Sequence, residues 1–106
     1  MTKSKVKAKI LKLKLTENDI KRMVKDYLNI QGWFHFHIMQ GLGSYPGIPD
    51  IIAVKDGQVL FIEVKKPTGK QSERQREFQQ NIESHGGKYL IVKDVEDLIK
   101  GVHTAE

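Results

Sequence analysis

The sequence predicts a single mixed α/β domain, and three observations carry that expectation. Apolar residues recur at helical spacing in some segments, short apolar or alternating runs of strand length lie between them, and glycine- or proline-bearing stretches separate one from the next. The resulting order is α-β-β-β-α-β-α.

Residues 1–15 read as a basic arm, in which VKAKILKLKL alternates with a period near two. That pattern suits an edge strand or a segment ordered only by a partner. The body, residues 16–106, opens at Thr16: Thr16-Glu17-Asn18-Asp19 resembles a capping box with Asp in place of the usual Glu. Ile20, Met23, Val24, Tyr27 and Leu28 follow on one helical face, and Gly32 is a natural stop. Trp33–Met39 predicts a strand with Phe34, Phe36 and Ile38 on one face and Trp33, His35 and His37 on the other. The stretch QGLGSYPGIPD interrupts it with three glycines and two prolines, marking a loop that is tightly turned or closely approached.

Two strands, Asp50–Val54 and Val59–Lys65, are joined at Asp56-Gly57, the strongest short-range signal for a two-residue hairpin. Ile51, Ile52, Val59, Leu60, Phe61, Ile62 and Val64 make this hairpin a core element. Ser72 begins a second helix with Phe78 and Ile82 on its inner face, closed by Gly86-Gly87. Lys88–Val92 is a short apolar strand, and Asp94 caps a last helix bearing Val95, Leu98 and Ile99.

Charge divides the chain unevenly. The 106 residues hold 18 Lys+Arg against 13 Asp+Glu, but residues 1–15 carry six lysines and no acid, leaving 12 basic and 13 acidic groups in the body. The whole positive excess therefore sits in the arm, which favours a polyanionic partner, while the body has to be read separately. A chain near this length buries roughly 60–70% of its unfolded surface, enough for one modest core. The absence of cysteine excludes disulfides, Cys-ligated zinc and thiol catalysis. No apolar run approaches the ~20 residues needed to span a bilayer, and the arm lacks a signal-peptide core, so a soluble, cytoplasmic protein without a membrane partner is expected.

With Asp56 and Gly57 as turn residues, Lys55 faces Gln58, Val54 faces Val59, Ile52 faces Phe61, and Asp50 faces Glu63. Opposed residues project to one face with Cβ atoms about 4.5–5.5 Å apart, where two carboxylates repel unless a proton or cation intervenes. Lys65, two residues after Glu63, adds an ammonium on that face. Such oxygen ligands suit Mg²⁺ or Mn²⁺, and the chemistry implied is attack of a metal-activated water on a phosphodiester. Each part has an ordinary structural explanation: Asp after Pro is a common turn residue, and Glu-x-Lys in a strand is commonly a solvated pair worth at most ~1 kcal/mol. Their conjunction in this register favours the functional reading.

GIPD, a hairpin, then FIEVK resembles the PD-(D/E)xK nuclease superfamily, whose αβββαβ core of restriction-endonuclease type matches the order above. Within it the chain is similar to the VRR-NUC family, in particular its short stand-alone phage and bacterial members. The shared features are a helix-borne Glu in Thr16-Glu17-Asn18-Asp19-Ile20, Gly47-Ile48-Pro49-Asp50, Glu63-Val64-Lys65, and Gln75-Arg76-Glu77-Phe78.

The resemblance implies Asp50 and Glu63 as metal ligands, the Val64 carbonyl as a third, Glu17 as a further acid acting on the metal directly or through water, and Lys65 as the residue positioning the attacking water. It also implies a catalytic role for Gln75. Glu17 is otherwise an ordinary first-turn acid favoured by the helix dipole by ~0.3–1 kcal/mol, and Ser72-x-x-Gln75 is itself a capping box. Lys66, Lys70, Arg74, Arg76 and the loop residues Gly43, Ser44 and Tyr45 are candidate DNA contacts, with solvated helix charges or loop packing as the alternatives. His35 and His37 read as exposed structural histidines. The implied activity is a Mg²⁺-dependent, structure-selective DNA endonuclease without a small-molecule cofactor, resolving four-way Holliday junctions as a homodimer. A nickase or flap endonuclease, or a non-catalytic nucleic-acid-binding module of the same fold, are the alternatives.

Overall fold

The reciprocal cap at Thr16 forms as the sequence predicts. The Asp19 amide donates to the Thr16 hydroxyl at 3.1 Å and the Thr16 amide donates to the Asp19 carboxylate at 3.0 Å. Those bonds to the ionised form hold the Asp19 carboxyl below the usual range. In this computed structural model, which describes Lys5 and residues 14–41 and 43–105, helix α1 runs Glu17–Ile30. The arm assigned to residues 1–15 lies outside the described residues apart from Lys5, Lys14 and Leu15, the last of which packs against the core.

Strands β1 (Phe34–His37), β2 (Ile51–Lys55), β3 (Gln58–Val64) and β4 (Lys88–Val92) form one sheet in that spatial order, with α2 (Glu73–Ser84) between β3 and β4 and α3 (Val95–Ala105) last. The first two pairings are antiparallel and the third is parallel. A parallel pair needs a crossover, and α2 supplies it. The β2–β3 turn adopts positive φ at both Asp56 (50°) and Gly57 (80°), as a type I′ hairpin requires. Pairing runs Lys55 with Gln58 through Ile51 with Ile62, the register read from the sequence. Each strand is displaced by one residue from the predicted bounds: β2 ends at Lys55 and β3 starts at Gln58, because the tight turn lets pairing continue up to its two central residues.

The core lies on one face of the sheet. Ile51, Ala53, Leu60, Ile62, Val64, Leu90 and Val92 alternate onto it and are covered by Ile20, Val24 and Leu28 of α1 and Leu98 and Val102 of α3. Full burial of each such branched side chain contributes about 1.5–3 kcal/mol. The opposite face is covered less. Phe78 of α2 packs against Phe61 and Tyr89, at 6.1 and 6.3 Å between ring centroids, but α2 itself contributes no fully buried residue. Val59, expected in the core, is exposed there, as are Phe34 and Phe36 on the edge strand β1. Among the described residues α2 sits over the β3–β4 half of this face and leaves Val59 and the β1 side exposed, while Asp50 and Glu63 at the far end of the hairpin stay buried.

Candidate active site

Asp50 directly precedes β2 and steps out of its regular pairing: its amide donates to the Ile62 carbonyl at 3.1 Å, the residue Ile51 already faces, and its carboxylate accepts from the Val64 amide at 2.7 Å, so Asp50 brackets Glu63. Both carboxylates are buried, with 6% and 2% of their surface exposed, at the end of an apolar sheet. Two acids in this setting cannot both ionise cheaply. Burial, then the Asp50 charge and a hydrogen bond to Asp50, push the Glu63 carboxyl from 4.5 up to about 8.

Each oxygen of the pair is spoken for. Asp50 Oδ2 accepts from the Val64 amide at 2.7 Å, and Oδ1 receives the Gln40 amide at 3.2 Å and the Lys21 ammonium at 3.3 Å. Glu63 Oε1 accepts from Gln75 Nε2 at 3.0 Å and lies 3.9 Å from the Lys65 ammonium, while the Tyr89 hydroxyl donates to Oε2 at 3.4 Å. Burial and the neighbouring Glu63 charge push the Tyr89 phenol up, which keeps it a donor.

Gln75 caps α2 and also touches the acidic pair. Its side-chain oxygen accepts from the Ser72 amide at 2.8 Å, completing the cap of α2, while its nitrogen reaches Glu63. Gly47 brings α2 into place: a Cβ there would stand 2.2 Å from the Arg74 carbonyl oxygen, so the GIPD backbone lies directly on the first turn of α2.

The structure thus gathers Asp50, Glu63, Lys65 and Gln75 at one point, with Val64 contributing backbone. It does not bring Glu17 into that group. Among the described residues no cluster of three or more His, Cys, Asp or Glu side chains is positioned to hold a metal ion. Glu17 and Lys21 are four residues apart and share a side of α1, and the opposite charge of Lys21 makes it the partner of Asp50. Lys21, Gln40 and Tyr89 escaped the sequence reading. Lys21 and Tyr89 had a weak signal, one helical turn from Glu17 and the sheet face of Phe61, whereas Gln40 had none.

The remaining candidates make their contacts outside the Asp50–Glu63 group. Lys66, Lys70, Arg74 and Arg76 are exposed, Arg74 within 3.6 Å of Glu77. The Ser44 hydroxyl is engaged with the Gly41 backbone in a turn, Gly43 faces open space, and Tyr45 is exposed with its ring edge-on to Phe78 at 5.7 Å. His35 contacts the Asn29 side chain at 2.7 Å and His37 is exposed.

Paired carboxylates and a lysine at adjoining strand ends of a mixed sheet, with a helix on each face, define a nuclease-type domain of restriction-endonuclease-like fold. The VRR-NUC domain family model matches residues 10–95, and the chain belongs to that family. A solved structure described as a VRR_NUC domain superimposes with a TM-score of 0.71 at 18% identity, covering 84% of this chain and 97% of that one. No curated protein matches the chain. No described helix is long and apolar enough to cross a membrane.

Proposed function

We propose that this chain is a Mg²⁺-dependent endonuclease that hydrolyses DNA phosphodiesters in branched substrates, with four-way junctions as the preferred target and Mn²⁺ as a working substitute. The observation that carries the reading is the buried Asp50–Glu63 pair with the Lys65 ammonium beside it. Two adjacent carboxylates, one of them driven toward its protonated form by burial and then by the charge of the other, are a donor set that a hard divalent cation relieves. Asp50, Glu63 and the Val64 carbonyl would hold the ion, which supplies Lewis-acid stabilisation of charge on the phosphate.

The side chains do the rest. Lys65 orients the attacking water from the Glu63 side. Gln75 and Tyr89 fix the Glu63 carboxylate by donating to its two oxygens. Water gives up a proton to solvent as its oxygen adds to phosphorus, the bond from phosphorus to the 3′ oxygen breaks, and that oxygen takes a proton from solvent, so the products carry a 5′-phosphate and a 3′-hydroxyl. Glu17, four residues before Lys21 on α1 and outside the Asp50–Glu63 group, would act on the ion through water. Phosphate contacts through Lys66, Lys70, Arg74 and Arg76, with Gly43, Ser44 and Tyr45 at the approach, suit recognition of shape over sequence.

A second copy of the chain is the expected partner, since symmetric cuts across a junction need two sites at fixed separation. The outer edge of β1, unpaired among the described residues, and its exposed Phe34 and Phe36 support that reading. The deciding experiment is cleavage of labelled junction, flap, duplex and single-stranded DNA with Mg²⁺, comparing the wild type with Asp50→Ala. Metal-dependent cutting of junctions that Asp50→Ala abolishes is expected. No cutting of any substrate would leave a binding module, and cutting of asymmetric flaps alone would leave a flap enzyme.

A further inference from the structure

Asp50 has more cationic company than its own satisfaction requires. Its buried oxygen is met by the Val64 amide at 2.7 Å and its outer oxygen by the Gln40 amide at 3.2 Å, so both would have a partner without Lys21. Lys21 nevertheless reaches that outer oxygen from α1 at 3.3 Å, with its side chain still 21% exposed. Its backbone position on α1 is fixed by the neighbouring Ile20, which is fully buried in the core. An ammonium carries three donors, and one bond to Asp50 leaves others for a group arriving from solvent.

The two lysines flank the acidic pair from opposite members. Lys65 stands at Glu63 Oε1 and Lys21 at Asp50 Oδ1. Each comes from a different element, β3's end and α1, so neither follows the other if one moves. With both carboxylates ionised, the two ammoniums balance them, and a divalent cation added to that set leaves a net charge of +2 facing an incoming phosphodiester. Without Lys21 the surplus is halved. A phosphate drawn to a cation held by Asp50 and Glu63 would find Lys21 as the charged donor on the Asp50 side.

We infer that Lys21 is a substrate-contacting residue of this centre, binding a non-bridging oxygen of the scissile phosphate from the Asp50 side while Lys65 serves the water from the Glu63 side. The inference rests on the nuclease reading above and adds to it a residue outside the GIPD and Glu-x-Lys motifs. A purely structural ion pair between Lys21 and Asp50 would be felt in folding and in metal affinity. A phosphate contact is felt in DNA binding and turnover.

The test compares Lys21→Met, which keeps the aliphatic stem, and Lys21→Arg, which keeps the charge, with the wild type. Junction affinity is measured across a salt series with Ca²⁺ replacing Mg²⁺, kcat and KM with Mg²⁺, Mn²⁺ binding by calorimetry, and folding by thermal melting. For Lys21→Met the expected results are a salt slope smaller by about one counterion, a kcat lower by about 100-fold, as for loss of one preorganised donor, and Mn²⁺ binding at least as tight as wild type. Lys21→Arg should restore the slope and most of the turnover. An unchanged slope and kcat in Lys21→Met, or a loss explained by weaker Mn²⁺ binding or a lower melting temperature, overturns the inference and leaves the nuclease reading standing. A wild type that cuts no DNA removes both.

Discussion

Gln75 donates from its amide nitrogen to Oε1 of Glu63 at 3.0 Å while its amide oxygen closes the N-terminal cap of α2 on Ser72. One side chain therefore ties the start of a helix to the most deeply buried acid of the site, and the cap fixes which way the amide points.

Substituting Gln75 by Glu separates the two roles. Glu is the usual residue at this position of a capping box, so the cap survives, but the donor to Glu63 is replaced by a third carboxylate. The third acid adds like-charge repulsion to the buried pair, so a metal-free protein that melts lower as pH rises, with nuclease turnover reduced at least tenfold, is the expected outcome. Ser72→Ala removes the cap without adding charge at the site, lowering stability by about 0.5–2 kcal/mol while leaving turnover largely intact. Equal turnover in wild type and Gln75→Glu would reduce Gln75 to a capping residue.

The elevated Glu63 carboxyl makes stability and metal affinity depend on pH in opposite senses. In the metal-free protein the folded state keeps a proton on Glu63 that the unfolded chain releases, over the window from 4.5 to about 8. The folded state therefore binds the extra proton, and its stability falls as pH rises through that window. Melting in chelator should show this decline, and Glu63→Gln should flatten it. Mn²⁺ needs the ionised carboxylate, so its affinity should rise toward pH 8 with proton release on binding, measurable by calorimetry in two buffers. A wild-type melting profile parallel to that of Glu63→Gln would contradict the assignment.

The parts of this site that were legible in the sequence are those fixed by local rules. Asp56-Gly57 dictates a two-residue turn, the turn dictates a register that runs to Ile51 opposite Ile62, and that register brings the next residue, Asp50, to the end of β3 where Glu63 lies. The two capping boxes were legible for the same reason, being contacts within four residues. Tyr89 was not, because the parallel β3–β4 pairing that sets Phe61 opposite Tyr89 is made through a helical crossover whose length does not specify register. Lys21 and Gln40 reach Asp50 from α1 and from the loop after β1, and no spacing rule connects those segments. The exposure of Phe34, Phe36 and Val59 was likewise illegible, since it depends on how much of the sheet α2 covers.

Gly47 is required by packing as well as by its backbone angle. At φ 79° any side chain is strained, and a Cβ would also meet the Arg74 carbonyl oxygen at 2.2 Å and the Gln75 amide nitrogen at 2.9 Å. Gly43, at φ 89°, has the same strain with open space around it. Gly47→Ala should therefore destabilise the fold beyond Gly43→Ala by about 1–3 kcal/mol, the usual penalty of overpacking. It should also displace the first turn of α2, and with it the amide that holds Glu63, so turnover falls further than stability explains. Chemical denaturation of both variants checks the first point, and kcat at a temperature where both are folded checks the second. Equal stability of the two variants would show that the loop yields at Gly47.

The open half of the sheet gives the proposed dimer a place to form. Phe34 is 69% exposed and Phe36 45%, their rings 5.9 Å apart, beside the exposed Val59 and on the edge strand β1. An edge strand with unpaired backbone groups and apolar side chains is a template for pairing, and a two-fold axis at β1 would use the same residues from both copies. Phe34→Asp with Phe36→Asp leaves the core untouched, because neither ring packs on the α1–α3 face. The expected result is a monomer by light scattering, with an unchanged fold by circular dichroism, that nicks one strand of a junction without the paired second cut. If the double variant stays dimeric, the interface lies elsewhere; if the wild type is itself monomeric at micromolar concentration, coordinated resolution by a free dimer is excluded.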